Sequence, residues 1–373
     1  MILILEPNSS PESTDYKILE AHLGRLPSIK YRVHREVGAE VTLTEIYLIG
    51  NTGALSVEQM AVLPCVAKVV RVSEAYRVLG RHTLGDDRPT SFDYQGVRFG
   101  QDTLNIFAGL CAVDSPESVE AMMKALKANG QVCTRMGAYK PRTNPYAFQG
   151  FGAACLPYVF ELAGKYGIRV IAMEITHESH IDEIRAALRA TGNPTGVMLQ
   201  IGTRNTQNFE LLKLVGKQQE FPVLIKRGFG ITLDESLNAA EYLASEGNRK
   251  VVFGLRGMKT NMGDPHRNFV DFAHVPVVKR LTRMPVCIDP SHSVGVRTAA
   301  PDGLLDIFHV VAQGIVAGAN MVLVDFHPNP AKALVDGPQA LLMSELEHFL
   351  EDTALARETY LKRSALADKH AAH

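Results

Sequence analysis

Eight apolar runs rich in β-branched residues recur between positions 103 and 328, and nearly all of them end beside a residue able to bind an anion, bind a metal or move a proton. They are TLNIFAGL (103–110), QVCTRMG (131–137), RVIAM (169–173), GVMLQIG (196–202), PVLIK (222–226), KVVFGL (250–255), PVCIDP (285–290) and MVLV (321–324). At or just past their C-terminal ends stand Cys111, Arg135 with Lys140, Glu174, Arg204, Lys226, Arg256, His292 and Asp325. A strand covered on both faces reads as an unbroken apolar run, and helical stretches between such strands make the sheet parallel. Eight strand–helix units predict an α/β fold closed into a (β/α)8 TIM barrel. In that architecture the C-terminal strand ends and the loops after them build the active site. A random surface scatters its charges; here they gather at one end of the strands.

A barrel takes about 250 residues, so a chain of 373 has room for a smaller unit. Residues 1–80 read as strand (MILILEP), helix (DYKILEAHLGRL), two alternating strands (KYRVHREV, TEIYLIGN), helix (SVEQMAVL) and strand (VAKVVRV). This βαββαβ order predicts a small ferredoxin-like α+β domain. The polar, Gly-containing stretch 81–100 reads as linker and barrel entrance, 101–352 as the catalytic barrel, and 353–373 as a helical tail. Helix punctuation agrees: Ser115 with Pro116 opens a helix and Gly130 closes it, while proline precedes the strands in EFPVL, RMPVC and NPTGV.

Composition narrows the classes of function. The net charge of −1 offers no overall field for nucleic acid or an anionic membrane, so any anion site must be local. No stretch nears the roughly 20 apolar residues that span a bilayer, and the N-terminal ILIL is too short for a signal segment. Five cysteines, an odd number without CxxC spacing, read as reduced thiols, and the expected compartment is the cytoplasm.

The densest motif is GAYKPRTNPYAFQGFG (137–152), after the second run. Pro141 stiffens the backbone between Lys140 and Arg142, and Thr143 adds a hydroxyl; two cations and a hydroxyl in four residues suit a phosphate ester. Arg135, Arg204, Lys226 and Arg256 join them at the same barrel end. Any one of them alone would more often be a rim ion pair. Together they exceed what one phosphate or carboxylate needs. Glu174 is the natural partner to orient a lysine or relay a proton.

A second set is Cys111, His292, Asp325 and Asp336, on the first, seventh and eighth units, which neighbour one another in a closed barrel. A lone buried Cys or His is usually packing. One thiolate, one imidazole and two carboxylates together suit a single borderline divalent metal such as Mn, Fe, Co or Zn. Other signals fail. His177 and His180 are three apart, without the helix-face spacing of a zincin, and Gly150-Phe151-Gly152 lacks the rest of a dinucleotide fingerprint.

With these residues in place, the chain resembles the 3-deoxy-D-arabino-heptulosonate 7-phosphate (DAHP) synthases, in the branch with an N-terminal ferredoxin-like domain. The matching segments are AGLCAVDS, RMGAYKPRTNPYAFQGFG, LQIGTRNTQNF, PVLIKRGF, IDPSHSVG, VDFHPNP and ALVDGPQAL. The resemblance implies a metal-dependent condensation of phosphoenolpyruvate with erythrose 4-phosphate, a transferase reaction at the entry to the shikimate pathway. It implies phosphoenolpyruvate on Arg135, Lys140, Arg204, Lys226 and Arg256, and the aldose phosphate on Arg142, Thr143 and Asp289. It implies the metal on Cys111, His292, Asp325 and Asp336, with Lys140, Glu174, His292 and Cys111 as the catalytic set. It further implies a homo-oligomer, dimer or tetramer, with an aromatic amino acid as possible effector of the N-terminal domain. The chain departs from the family where Leu110 replaces Pro, Asp325 replaces Glu, and Gly254-Leu255 replaces Cys-Glu; the segment before Arg267 and Asn268 is also altered. These departures lie on the metal and aldose side. They leave two alternatives: another phosphorylated aldose or amino sugar as acceptor, or an idle metabolite-binding paralogue.

Overall fold

The structure, a computed structural model, describes residues 1–37, 41–52, 55–71, 76–81, 91–192 and 195–371. Residues 82–90 of the expected linker and the Asn-Pro pair of NPTGV lie outside these. The chain divides into two compact units, Met1–Asp86 and Asp87–His373.

The first unit runs β1 (Ile2–Leu5), α1 (Thr14–Leu23), β2 (Ile29–Val37), β3 (Thr42–Gly50), α2 (Val57–Ala61), β4 (Val66–Val70). The strands form an antiparallel sheet in the order β2-β3-β1-β4, the ferredoxin-like arrangement. Ser13 and Ser56 start the helices by accepting from the backbone N–H of Tyr16 and Gln59. Alternation along β3 turns Ile46 and Leu48 to a core shared with Leu3, Leu5, Tyr16, Leu19, Leu23 and Met60.

The second unit is the barrel. Its strands are β7 (Asn105–Gly109), β8 (Cys133–Arg135), β9 (Val170–Ile175), β10 (Gly196–Ile201), β11 (Val223–Lys226), β12 (Val251–Leu255), β13 (Val286–Ile288) and β14 (Met321–His327). Helices α3 (Pro116–Ala128), α4 (Leu156–Tyr166), α5 (Ser179–Thr191), α6 (Phe209–Lys217), α7 (Leu233–Ser245) and α8 (Val275–Leu281) alternate with them, and α9 (Pro290–Val294) and α10 (Asp306–Val316) both fall between β13 and β14. Every strand pair from β8 to β14 is parallel, and β14 pairs with β7 in the register Asp325↔Gly109. The ring closes between β7 and β8 through the Leu110↔Met136 bridge and the Thr134 hydroxyl, which donates to the Ala108 carbonyl at 2.7 Å. Gly109 permits this approach, because an added Cβ would collide with the Arg135 carbonyl oxygen. The short β15 (Leu341–Leu342) extends the sheet beyond β14, and α11 (Leu346–Ala371) runs unbroken through residues 353–371 of the expected tail.

Strand alternation sorts the interior by height. Phe107, Cys133, Ala172, Met198, Leu224, Val252, Cys287 and Leu323 fill the middle. Two residues further along the same strands come Gly109, Arg135, Glu174, Gln200, Lys226, Gly254, Asp289 and Asp325. A period of two therefore converts an apolar core into a charged upper layer. At the other end the floor is closed by a hairpin, β5 (Phe92–Tyr94) and β6 (Val97–Phe99), within the stretch expected to be linker. Asp93, Gln95 and Arg98 face solvent and make the segment look polar, whereas Val97 and Phe99 enter the barrel core with Phe92 and Tyr94 packed against it. Positive φ at both Gln95 and Gly96 gives the tight turn a hairpin of right-handed twist requires.

Candidate active site and metal centre

Three side chains from three elements meet at the C-terminal end of the barrel. Cys111 follows β7, His292 lies on α9 directly after β13, and Asp336 sits in the loop after β14. The Cys111 Sγ lies 3.7 Å from His292 Nε2 and 3.2 Å from Asp336 Oδ2, and Nε2 lies 3.5 Å from that carboxylate oxygen. Cys111 and His292 are buried, and one ligand atom from each of the three falls within 4.8 Å of the others. Asp336 holds left-handed backbone, φ 54°, which aims its side chain back at the cluster.

The imidazole is oriented from behind. Asp289, the residue capping α9, accepts from the backbone N–H of His292 at 3.2 Å and faces its Nδ1 at 3.0 Å. With Nδ1–H directed to Asp289, Nε2 is free to face the thiol and Asp336. A carboxylate behind a histidine is the arrangement that presents imidazole to a metal. Burial opposes charging of His292, but Asp289, Asp325 and Asp336 outweigh it and push its pKa up to about 10 in the metal-free protein. The same imidazole, with Arg267 and Lys140, overcomes burial at Asp336 and holds that carboxyl far below its usual range. A thiol, an imidazole and a carboxylate converging in this way form a donor set that fits a borderline divalent ion.

Asp325, expected as a fourth ligand, turns its oxygens to other partners in this structure. Its two oxygens receive Arg135, at 2.5 Å, and the Gln339 amide, at 2.6 Å. It approaches His292 only from the Nδ1 side, at 3.8 Å. Asp289, expected on the aldose side, is fully buried beneath the site, where its second oxygen takes Lys226 at 2.5 Å.

The expected cations fall into two groups. Arg135, Lys140 and Lys226 are buried and paired, with Asp325, Glu174 (3.8 Å) and Asp289 respectively. Arg135 and Lys140 also reach the Cys111 sulfur, at 3.7 and 3.3 Å. Glu174 fits beside Lys140 because residue 202 is glycine; an added Cβ there would overlap its carboxylate. Arg256 is different. It is buried, one of its terminal nitrogens meets no acceptor, and among the described residues no carboxylate pairs with it. Burial lowers its pKa to about 10; Asp289 and Asp271 oppose the shift, Arg267 and Arg204 add to it, and burial wins. A buried guanidinium short of counter-charge is a site waiting for an anion. Arg204 donates to the Thr143 hydroxyl at 3.2 Å, which ties the KPRT loop to the end of β10, and Arg142 is half-buried in that loop.

Sequence reading missed several residues here. Gln339 bridges Asp325 and Arg267, and its uncharged amide carried no signal. His327 pairs with Asp114 at 2.6 Å and joins the Cys111 loop to the end of β14. His180, set aside with His177 for lacking zincin spacing, stacks on Tyr139 with ring centroids 3.7 Å apart, at the start of α5.

Comparison with known proteins adds an independent line. Residues 82–360 match the DAHP synthetase I family. The chain is 35% identical over 341 residues to a phospho-2-dehydro-3-deoxyheptonate aldolase of Thermotoga maritima, covering 91% of this chain and 93% of that protein. It is 28% identical over 269 residues to a 2-dehydro-3-deoxyphosphooctonate aldolase of a Bradyrhizobium species, covering 68% and 88%. The crystal structure of the Thermotoga maritima DAHP synthase superposes with a TM-score of 0.68 at 32% identity, covering 96% of both chains.

Proposed function

This chain belongs to the DAHP synthetase I family and is a transferase condensing phosphoenolpyruvate with erythrose 4-phosphate to DAHP and phosphate; from that premise we propose how its own residues divide the work. The carrying observation is the division of the barrel end into a Cys–His–Asp cluster and, beside it, cations that pair with no carboxylate among the described residues.

In this assignment Cys111, His292 and Asp336 hold one divalent ion of the Mn, Fe, Co or Zn type. When bound, the ion supplies Lewis acidity at the aldehyde oxygen. Arg256 and Arg204 take the phosphate of phosphoenolpyruvate. Arg135 and Lys226, fixed by Asp325 and Asp289, set the positive field for its carboxylate. Arg142 and Thr143 take the aldose phosphate at the mouth. The enol C3 then forms a bond to the aldehyde carbon, and Lys140 gives the new alkoxide a proton. Water adds to the cationic C2 and loses its proton to Glu174. The C2–O bond to phosphate breaks with its electron pair on the leaving oxygen while the C2 hydroxyl becomes the keto group and passes its proton to the departing phosphate, and the Lys140–Glu174 pair resets by proton exchange. Electrostatic stabilisation by these preorganised cations is the largest contribution the protein makes.

Residues 1–80, with a core of their own, are the part we assign to regulation, an aromatic amino acid being the effector class. A homo-oligomer, dimer or tetramer, in the cytoplasm completes the reading, in keeping with cysteines that are all free. Product analysis by mass spectrometry across a panel of phosphorylated aldoses tests the assignment. Erythrose 4-phosphate is expected to be the best acceptor by a wide margin; preference for another aldose, or no product from any, would overturn it.

A further inference from the structure

Most cations around this barrel end have a carboxylate partner: Arg135 with Asp325, Lys140 with Glu174, Lys226 with Asp289, Arg227 with Asp271 and Arg267 with Asp336. Arg204, Arg256 and Lys259 have none among the described residues, and all three share one aromatic ring. The ring of Phe229, in the loop after β11, lies 5.4 Å from the Arg204 guanidinium carbon, 4.8 Å from that of Arg256 and 5.9 Å from the Lys259 ammonium. These cations come from different places: Arg204 after β10, Arg256 at the end of β12, Lys259 three residues beyond it.

We propose that Phe229 is a positioning residue for the phosphate subsite, gathering Arg204, Arg256 and Lys259 on its face so that three cations stay together with no acid among them. This rests on the assignment of that subsite to phosphoenolpyruvate. The physical reason is a choice of counter-charge. Three neighbouring cations repel, and something must hold them. A carboxylate would do so by occupying the N–H groups and would compete directly with an incoming phosphate. The negative face of an aromatic ring attracts cations within about 6 Å and leaves their hydrogen-bond donors free. The buried, acceptorless nitrogen of Arg256 is the donor so preserved. Lys259, outside the set expected from sequence, becomes a third cation of the subsite.

The experiment replaces Phe229 in the full-length, metal-loaded protein with mono-, di- and trifluorinated phenylalanine, which keep the ring's shape while draining its negative face. Calorimetry then measures binding of inorganic phosphate and of phosphoenolpyruvate. Dissociation constants for both are expected to climb step by step, to about ten-fold for the trifluorinated ring, with melting temperature and metal content unchanged. Phe229→Leu is expected to lose at least as much. A flat fluorinated series overturns the proposal even if the leucine variant binds poorly, since the ring is then only filling space. No phosphate binding by the unmodified protein overturns it as well. Because inorganic phosphate needs no turnover, a rising series in a protein that never consumes phosphoenolpyruvate would leave the ring's role standing and remove the assigned reaction instead.

Discussion

At the scale of single residues, the site depends on which atom each group presents. Asp289 holds Nδ1 of His292, so Nε2 faces Cys111 and Asp336; Asp325 is turned to Arg135 and Gln339. Cys111→Ser and Asp336→Asn are therefore expected to abolish binding of one equivalent of Co(II), read by metal analysis and the thiolate absorption band. Asp325→Asn should keep both and raise KM for phosphoenolpyruvate through a loosened Arg135. Loss of the metal from Asp325→Asn would make Asp325 a ligand after all. Protonation gives a second test. His292 rises from its ordinary 6.5 to about 10 in the metal-free fold, so between those values the folded chain binds more protons than the unfolded one. Its contribution to stability is complete below about pH 6.5 and lost as pH climbs toward 10. Chelated protein should lose stability over that window, and His292→Gln should flatten the loss. Because a metal needs the neutral imidazole, binding should also release protons in calorimetry across buffers of different ionisation enthalpy.

At the scale of elements, the same two-residue period makes both core and site. Leu224 and Lys226, or Leu323 and Asp325, point the same way on one strand, and height alone decides which meets the core and which meets the charged layer above it. This is why the strands were legible: runs such as GVMLQIG and PVLIK became β10 and β11 within a residue of their expected limits. It is also why the roles of the acids were not. Sequence places Asp289 and Asp325 at the right end of the right strands, but whether a carboxylate faces a metal, an arginine or an imidazole depends on contacts between chain segments far apart. Phe229, half-buried in a loop, carried no periodic signal at all. The floor hairpin escaped for a third reason, since its solvent face is polar and only alternate residues are core. Phe99 is 1% exposed and touches Phe107. Phe99→Ala is expected to cost about 3–5 kcal/mol by urea unfolding; a cost below about 1 kcal/mol would mean that the hairpin does not close the barrel.

At the scale of the whole molecule, one end of the barrel brings the Cys111–His292–Asp336 cluster and a set of buried cations together. Neither alone distinguishes a synthase from a binding protein. A metabolite-binding module needs the cations but has no use for Cys111, His292 and Asp336 converging, while a metal site alone has no use for Arg256 buried without an acid. Their combination predicts a reaction in which both substrates and the metal are required at once. The most direct test follows release of inorganic phosphate from phosphoenolpyruvate. One phosphate per phosphoenolpyruvate is expected only when erythrose 4-phosphate is present, with loss on chelation and return on adding a divalent ion. Phosphate release that ignores the aldose or survives metal removal, or no release from metal-loaded protein with both substrates, would contradict the account.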